Sequence, residues 1–597
     1  MDETYVKHDS HNAFYRSPFG AVKSGTKVAV RIEADCFEKS ELLLKFFDGS
    51  ERIIPMTQIT SEGLHVFEGY IEIDDTYIGL INYYFILYKE RKILYYGTIR
   101  SGIGGVGKLS DTEPCFYQIT VYKDFTVPQW FKEGIVYQIF ADRFLNGNKN
   151  GKISNPKKNS FIYAHWDDNP MYIKDKEGNV LRWEFFGGNL AGVISKLDYL
   201  KSLNVTAIYF NPIFESSSNH KYDTGDYKNI DPMYGNEALF KELCKEADLR
   251  GIKIILDGVF SHTGADSVYF NKFGRYKSLG AYQSKESPYY AWYRFRHYPD
   301  DYECWWNIKN LPNVDEMNPS YLKFILYDDD SVLKHWMNVG IYGWRLDVAD
   351  ELPDEFIEAF NKELKKINEN SVLIGEVWED ASNKVSYSKK RKYLFGNELD
   401  SVTNYPFRNA VIGFLNGDLD SSEFARRMMS LYENYPREAF YASLNMLGTH
   451  DTERISTVFK NKGSKAQLYV KLALVIQMTF PGVPLIYYGD EAGLEGGLDP
   501  DNRKAYSWGR EDNNLKAFYK YITGVRSLDI FKKGDLKFYP YNCDILCYER
   551  SYGTDSAIVC INRNADCAVY IDIPNKNISV SVNALDFKII SKRGEVL

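Results

Sequence analysis

Carboxylates and histidines close a series of short apolar runs in this 597-residue chain. Asp257 and His262 follow IKIIL, Arg345 and Asp347 lie in YGWRLDVA, Glu376 closes VLIGE, His450 and Asp451 close SLNMLGTHD, and Asp490 and Glu491 close GVPLIYYGDE. Taken singly, a strand-end acid is ordinarily a helix cap or a salt-bridge partner. Several delivered to one place argue for function, because close carboxylates repel and are costly to bury. Arg345 and Asp347 are two residues apart, so on a strand they share a face. A guanidinium there is expected to keep the carboxylate ionised, as a nucleophile requires. Glu376 precedes Trp378 at the end of an apolar run, a setting expected to raise its pKa and hold its proton, as a general acid requires. One ionised and one protonated carboxyl about 5–5.5 Å apart cleave a glycosidic bond with retention. The rival chemistry is a dinuclear metal hydrolase, which would draw on several histidine ligands. These histidines stand beside carboxylates without H-x-H or H-x-x-x-H spacing.

Positioning such residues requires elements that end together, and the hydrophobic pattern contains them. From Gly134 the sequence alternates strand-like runs (GIVYQIF, TAIYFNP, IKIILDGVF, YGWRLDVA, VLIGEVW, SVTNYPF, SLNMLGTHD, GVPLIYYGDE) with helical periods such as Leu190, Val193, Ile194, Leu197, Leu200 and Phe356, Phe360, Leu364, Ile367. Eight strand–helix repeats predict a (β/α)₈ TIM barrel of the α/β class, whose chemistry lies at the C-terminal strand ends. His262 and Asp347 are 85 residues apart, against 29 from Asp347 to Glu376. The excess predicts an inserted subdomain over about 263–319, after the third strand. Short β-rich runs up to about residue 123 (KVAVRIEA, ELLLKFF, HVFEGYIEI, INYYFILY, CFYQITVY) predict an amino-terminal β-sandwich. A second sandwich is expected over 531–597, leaving 124–530 to the barrel.

Composition narrows the function. Ten Trp, 47 Tyr and 36 Phe make up 16% of the chain, and the formal net charge is −8. Aromatic faces suit sugar rings, although most must be core, and mild acidity argues against a nucleic-acid partner. No run approaches the roughly 20 apolar residues of a membrane span. The first residues, MDETYVKHDSHN, have no basic or apolar leader pattern, so a soluble, cytoplasmic protein is expected, although a chain trimmed of its leader would read the same. Eight cysteines without C-x-x-C pairing are expected to be reduced, buried thiols.

The strings DGVFSH at Asp257, GWRLDVADE at Gly343, GEVW at Gly375 and LGTHDTER at Leu447 resemble the four strand-end motifs of the α-amylase superfamily of glycoside hydrolases, in order and spacing. SNHKYDTGDY at Ser218, FFGGNLAGV at Phe185 and GDEAGLEGGLDPDNR at Gly489 are similar to the neopullulanase, cyclomaltodextrinase and maltogenic amylase group, as is the amino-terminal sandwich with AFYRSPFG at Ala13. The resemblance implies Asp347 as nucleophile, Glu376 as general acid/base and Asp451 as transition-state stabiliser. It also implies that Tyr222, His262, Arg345 and His450 hold the sugar at the cleaved bond, that Asp499 and Arg503 hold the next sugar on the non-reducing side, and that Asp257 supports them. Ser261 and Asp350 stand where the group usually has Asn, and LPNVDEMNP at Leu311 replaces the group's MPKLN.

The implied function is a retaining, endo-acting hydrolase of α-1,4 links in maltooligosaccharides and starch, extending to pullulan and cyclodextrins. Two alternatives remain: an α-glucanotransferase on the same fold, and a non-enzymatic carbohydrate-binding barrel, against which the three carboxylates argue. No cofactor is expected for the chemistry. A structural calcium ion is one reading of the loop Asn146, Asn148, Asn150 with Gly187 and Asn189; asparagine turns without metal are the other. A homodimer built through the amino-terminal sandwich is expected in preference to a starch-binding role for it.

Overall fold

The eight runs become eight parallel strands: β1 (Val136–Ile139), β2 (Ala207–Phe210), β3 (Lys253–Gly258), β4 (Gly343–Leu346), β5 (Val372–Gly375), β6 (Ser401–Val402), β7 (Leu444–Met446) and β8 (Val483–Tyr487). They pair in the order β6-β5-β4-β3-β2-β1-β8-β7, and a parallel bridge from Thr403 to Leu444 closes the ring. The structure is a computed structural model describing residues 5–596 apart from 62, 63, 574, 575 and 577. Barrel strands buried on both faces read as continuous apolar runs. Val136, Tyr209, Ile255, Ile374, Met446 and Leu485 accordingly fill the barrel with one another.

The expected (β/α)₈ fold is therefore present, and its register places the chemistry. Ile255 lies in the barrel core, and Asp257, two residues on, points the same way. Asp257 pairs opposite Arg345, which pairs opposite Ile374. The last polar layer of the barrel thus carries the acid and the guanidinium side by side.

Two elements differ from the sequence reading. The run SVTNYPF keeps only two strand residues, because Asn404 caps a helix (Tyr405–Asn416) by accepting the Phe407 N–H at 3.1 Å, with proline in its first turn. The helical period from Leu190 to Leu200 is split into Leu190–Ile194 and Leu197–Ser202, with the break at Ser195 and Lys196. The insertion after β3 is present as a 3-10 turn (Tyr290–Trp292) and a hairpin (Phe295–His297 with Asp301–Tyr302), tied back by antiparallel bridges from His262 to Asn313 and from Tyr293 to Val314. A second excursion, between β1 and β2, carries the hairpin Ile173–Lys174 with Val180–Arg182. The sequence reading did not separate it from its neighbours.

The amino-terminal sheets pack face to face through Val28, Val30, Leu42, Tyr83, Phe85 and Ile119. They are fixed to the barrel by a buried pair, Arg16 Nη1 to Glu433 Oε1 at 2.5 Å, with His11 Nε2 3.2 Å from the other Glu433 oxygen. Arg16 also donates from its Nη atoms to the carbonyls of Gln118 and Gly20, which helps to offset the cost of burying its charge. The carboxy-terminal part forms a four-stranded sheet and a two-stranded ribbon around Ile545, Ile558, Ile571 and Val582.

Among the described residues every cysteine is free. Cys244, Cys547 and Cys560 are buried, but Cys36, Cys115, Cys543 and Cys567 are exposed, which corrects the expectation of buried thiols. No helix among the described residues is long and apolar enough to cross a membrane.

Candidate active site

At the centre of the barrel's C-terminal face lies the buried guanidinium of Arg345. Nη1 donates to Asp257 Oδ1 at 2.8 Å and to Asp347 Oδ1 at 2.7 Å, and Nη2 meets Glu376 Oε2 at 2.9 Å. Glu376 also accepts the Val348 N–H at 2.8 Å on Oε2 and the Trp378 indole N–H at 3.2 Å on Oε1. Val348, directly after Asp347, has φ 39° and ψ 68°, a left-handed conformation that strains a β-branched residue. That strain turns its N–H onto the carboxyl of Glu376.

One positive charge serving three carboxylates sets the electrostatics. Burial drives the Asp347 carboxyl well above its usual range; Arg345 pulls it down, and the negative charges of Glu376 and Asp257 push it further up. Asp257 is likewise raised by burial, against Arg345 and the hydroxyls of Tyr209 and Tyr222. Arg345 thus lowers the Asp347 carboxyl as the sequence reading expects, while burial and the two neighbouring carboxylates oppose it. The apolar setting expected of Trp378 is corrected: its N–H, not its ring face, meets Glu376.

His450 and Tyr222 link this cluster to Asp451. Gln138 Nε2 donates to His450 Nδ1 at 2.9 Å, which leaves the proton on Nε2, 2.6 Å from the Tyr222 hydroxyl and 3.0 Å from Asp451 Oδ2. The Tyr222 hydroxyl donates in turn to Asp257 Oδ2 at 3.0 Å, and its ring lies parallel to His450 at 5.4 Å. Burial holds His450 well below its usual pKa, helped by Arg503 and Arg345, and brings His262 down to about 4. Both imidazoles are therefore neutral hydrogen-bonding groups near pH 7. His262 is held by Ser261 Oγ at 3.0 Å and the Tyr222 carbonyl at 3.1 Å. Asp350, the other departure from the group's pattern, is engaged by the Tyr393 hydroxyl at 2.6 Å and Lys384 Nζ at 2.9 Å.

Arg503 reaches Asp499 Oδ1 at 3.0 Å and Asp451 Oδ1 at 3.5 Å, while its Nε donates to the His450 carbonyl at 3.0 Å. Asp499 also accepts the Tyr172 hydroxyl at 2.7 Å. The structure thus gathers Asp257, Asp347, Glu376, Asp451, Tyr222, His262, Arg345, His450, Asp499 and Arg503 into one connected network. Asp490 and Glu491 do not join it. Asp490 pairs with Arg454 at 2.8 Å, and Glu491 accepts the Tyr137 and Tyr199 hydroxyls at 2.6 and 3.0 Å. These two buried acids brace the strand end, as an isolated strand-end acid ordinarily does.

The asparagine loop also assembles. Asn146 Oδ1 takes the Asn148 N–H and the Asn189 amide at 3.0 and 3.2 Å, and Asn150 Oδ1 takes the Lys152 N–H at 3.0 Å. Asn189 Oδ1 takes the N–H groups of Gly147 and Gly192, and the Gly187 N–H goes to Asp142. These Asn146, Asn150 and Asn189 oxygens serve turn and cap N–H groups, and the set contains no carboxylate, so a calcium ion there would rest on neutral oxygens alone.

Sequence reasoning missed Gln138, Asn211 and Tyr172. Gln138 was recoverable: it lies two residues after the inward Val136 in VYQI, where a polar residue among apolar ones is the signal. Asn211, which donates to the Tyr222 hydroxyl at 3.1 Å, follows the end of β2. Tyr172 comes from the excursion between β1 and β2 and carried no local signal.

Comparison with known proteins defines the class. The model of the alpha-amylase catalytic domain matches residues 138–524, and the chain belongs to this family of glycoside hydrolases. Among individual proteins, it is 38% identical to an amylopullulanase of Thermoanaerobacter thermohydrosulfuricus over 95% of this chain and 42% of that one. It is 33% identical to a cyclomaltodextrinase of Geobacillus thermopakistaniensis (strain MAS1), over 82% of this chain and 81% of the other. A solved cyclomaltodextrinase superposes with a TM-score of 0.66 at 28% identity, over 95% and 92% of the two chains. The chain spans less than half the length of the three amylopullulanases it matches.

The electrostatics give a pH test. Burial and the charge of Glu376 push Asp451 up to about 7, against Arg503 and Arg345, from about 3.9 in an unfolded chain. A carboxyl raised in this way contributes stability that is fully present below the unfolded value and lost as pH rises through about 7. Asp451→Asn should therefore raise the melting temperature more at pH 8 than at pH 5. Calorimetry at the two pH values measures this; an equal or reversed difference would contradict the assignment.

Proposed function

We propose that this chain is a retaining, endo-acting α-glucan hydrolase cleaving α-1,4-glucosidic bonds in starch-derived oligosaccharides, with pullulan and cyclodextrins among its substrates. The observation that carries the reading is the pair Asp347 and Glu376 on adjacent nitrogens of one guanidinium. Sharing one guanidinium holds the two carboxyls close, in keeping with the short separation of a retaining pair, about 5–5.5 Å, and not the wider one of an inverting pair. The names of the relatives, amylopullulanase and cyclomaltodextrinase, supply the substrate class.

In the first step an Asp347 oxygen bonds to C1 of the sugar as the C1–O bond to the leaving chain breaks, and the Glu376 proton passes to the leaving oxygen. In the second, Glu376 takes a proton from water, the water oxygen bonds to C1, and the ester to Asp347 breaks. Arg345 steadies the charge that moves between the two carboxyls. His262, His450 and Tyr222, neutral and fixed, hold sugar hydroxyls. Asp451, beside His450, offsets the positive charge that grows at C1 in the transition state. None of these roles calls for a Lewis acid. The glucanotransferase alternative uses the same ester with a sugar in place of water.

Incubation with starch, pullulan and β-cyclodextrin, followed by proton NMR of the first reducing ends, tests the reading. The α-anomer should appear first, and Asp347→Asn and Glu376→Gln should each lower turnover by about 10²–10⁴-fold or more. An initial β-anomer, or near-native turnover by Asp347→Asn, would refute it; longer oligosaccharides built from maltotriose would favour transfer over hydrolysis.

For the amino-terminal sandwich the proposal is a homodimer contact and not starch binding, because Tyr83, Phe85, Tyr96 and Tyr117 are buried in its core. Light scattering should return twice the chain mass of 69.1 kDa; a monomeric mass at micromolar concentration would refute it.

A further inference from the structure

Two of the three most exposed large apolar side chains among the described residues stand at the barrel mouth: Trp306, 73% exposed, and Tyr387, 70% exposed. Each occupies a backbone position that works against it. Trp306 has φ 47° and is followed by Asn307 at φ 62°. Tyr387 at φ 49° and Ser388 at φ 64° make the turn between Val385–Ser386 and Lys389–Lys390. Left-handed turn pairs favour Asn or Gly, because a Cβ crowds the following carbonyl. Neither ring recovers that cost through burial, and an exposed aromatic held in a strained conformation points to function.

The two rings come from different loops and reach one atom. The Trp306 indole N–H lies 3.3 Å from Glu351 Oε1, and the Tyr387 hydroxyl donates to the same oxygen at 2.5 Å. Glu351 ends the short turn Ala349–Glu351, four residues after Asp347. Trp306 stacks on Trp305 at 5.4 Å, and Trp305 lies 5.6 Å from the His262 ring. A continuous run of rings therefore leads from the catalytic cluster out to Trp306. The platform occupies the flank built by the loops after β3, β4 and β5, beside Glu376, whereas Asp499 and Arg503 come from the loop after β8.

We propose that Trp306 and Tyr387, bracketed by Glu351, form a stacking platform for the glucose units on the leaving-group side of the cleaved bond. The proposal rests on the reading of the chain as an α-glucan hydrolase and deepens it. Pyranose rings present C–H faces that pack on aromatic faces, and the bracket fixes the two rings relative to one another before substrate arrives. The rings can then take sugar with little loss of side-chain freedom.

The test compares maltohexaose, whose glucose units extend to both sides of the cleaved bond, with p-nitrophenyl α-maltotrioside, which places no sugar on the leaving-group side when nitrophenol is released. In Trp306→Ala the ratio of kcat/KM on maltohexaose to that on the nitrophenyl substrate should fall about fivefold to tenfold, carried by KM. Trp306→Ala with Tyr387→Ala should lower it further, and Glu351→Ala, which frees both rings, should shift it in the same direction. An unchanged ratio in the double variant of an active wild type overturns the platform alone, as does an equal fall on both substrates. A wild-type chain that turns over neither substrate overturns the hydrolase reading and the platform with it.

Discussion

The guanidinium of Arg345 holds Asp257, Asp347 and Glu376 together where three barrel strands end, and every other part of the site is arranged around that contact. Without it, the three carboxylates would face one another in a poorly solvated pocket with nothing to offset their repulsion. With it, they remain under-compensated by charge, and the surroundings make up the difference with hydroxyls, neutral imidazoles and backbone N–H groups. Tyr209 and Tyr222 donate to Asp257. The strained backbone at Val348 donates to Glu376. Gln138 keeps the His450 proton on the side of Tyr222 and Asp451. A barrel suits this arrangement, because neighbouring parallel strands in register bring residues far apart in sequence to the same height.

Much of this was legible in the sequence because the relevant signals are local. Eight apolar runs closing on polar residues identify the barrel, and the two-residue spacing of Arg345 and Asp347 places both on the inward face. The long interval between His262 and Asp347 locates the insertion. Illegible features depend on contacts between distant segments. Asp490 and Glu491 close a strand as Asp257 does, and nothing local distinguishes them; the difference is that Arg454, Tyr137 and Tyr199 arrive from elsewhere to claim them. Tyr172 lies on an excursion with no periodicity of its own. The sharing of Arg345 was hidden for the same reason: the sequence displays one arginine beside one aspartate, while the fold adds two more carboxylates to that arginine.

The asparagine loop and the aromatic rim show how local chemistry is reassigned by packing. The side-chain oxygens of Asn146, Asn150 and Asn189 accept turn and cap N–H groups. Trp306 and Tyr387, which composition alone would assign to the core, stand in solvent, held by a single carboxylate oxygen of the turn that follows Asp347.

Which carboxylate of the Arg345 cluster attacks the sugar is the most direct question to put to this structure. Mass spectrometry of the peptides formed after reaction with a 5-fluoro-α-glucosyl fluoride, which slows release of the covalent sugar, answers it. The glycosyl adduct should map to Asp347 alone. An adduct on Asp257, Glu376 or Asp451, or turnover with no covalent species at any of them, would contradict the assignment.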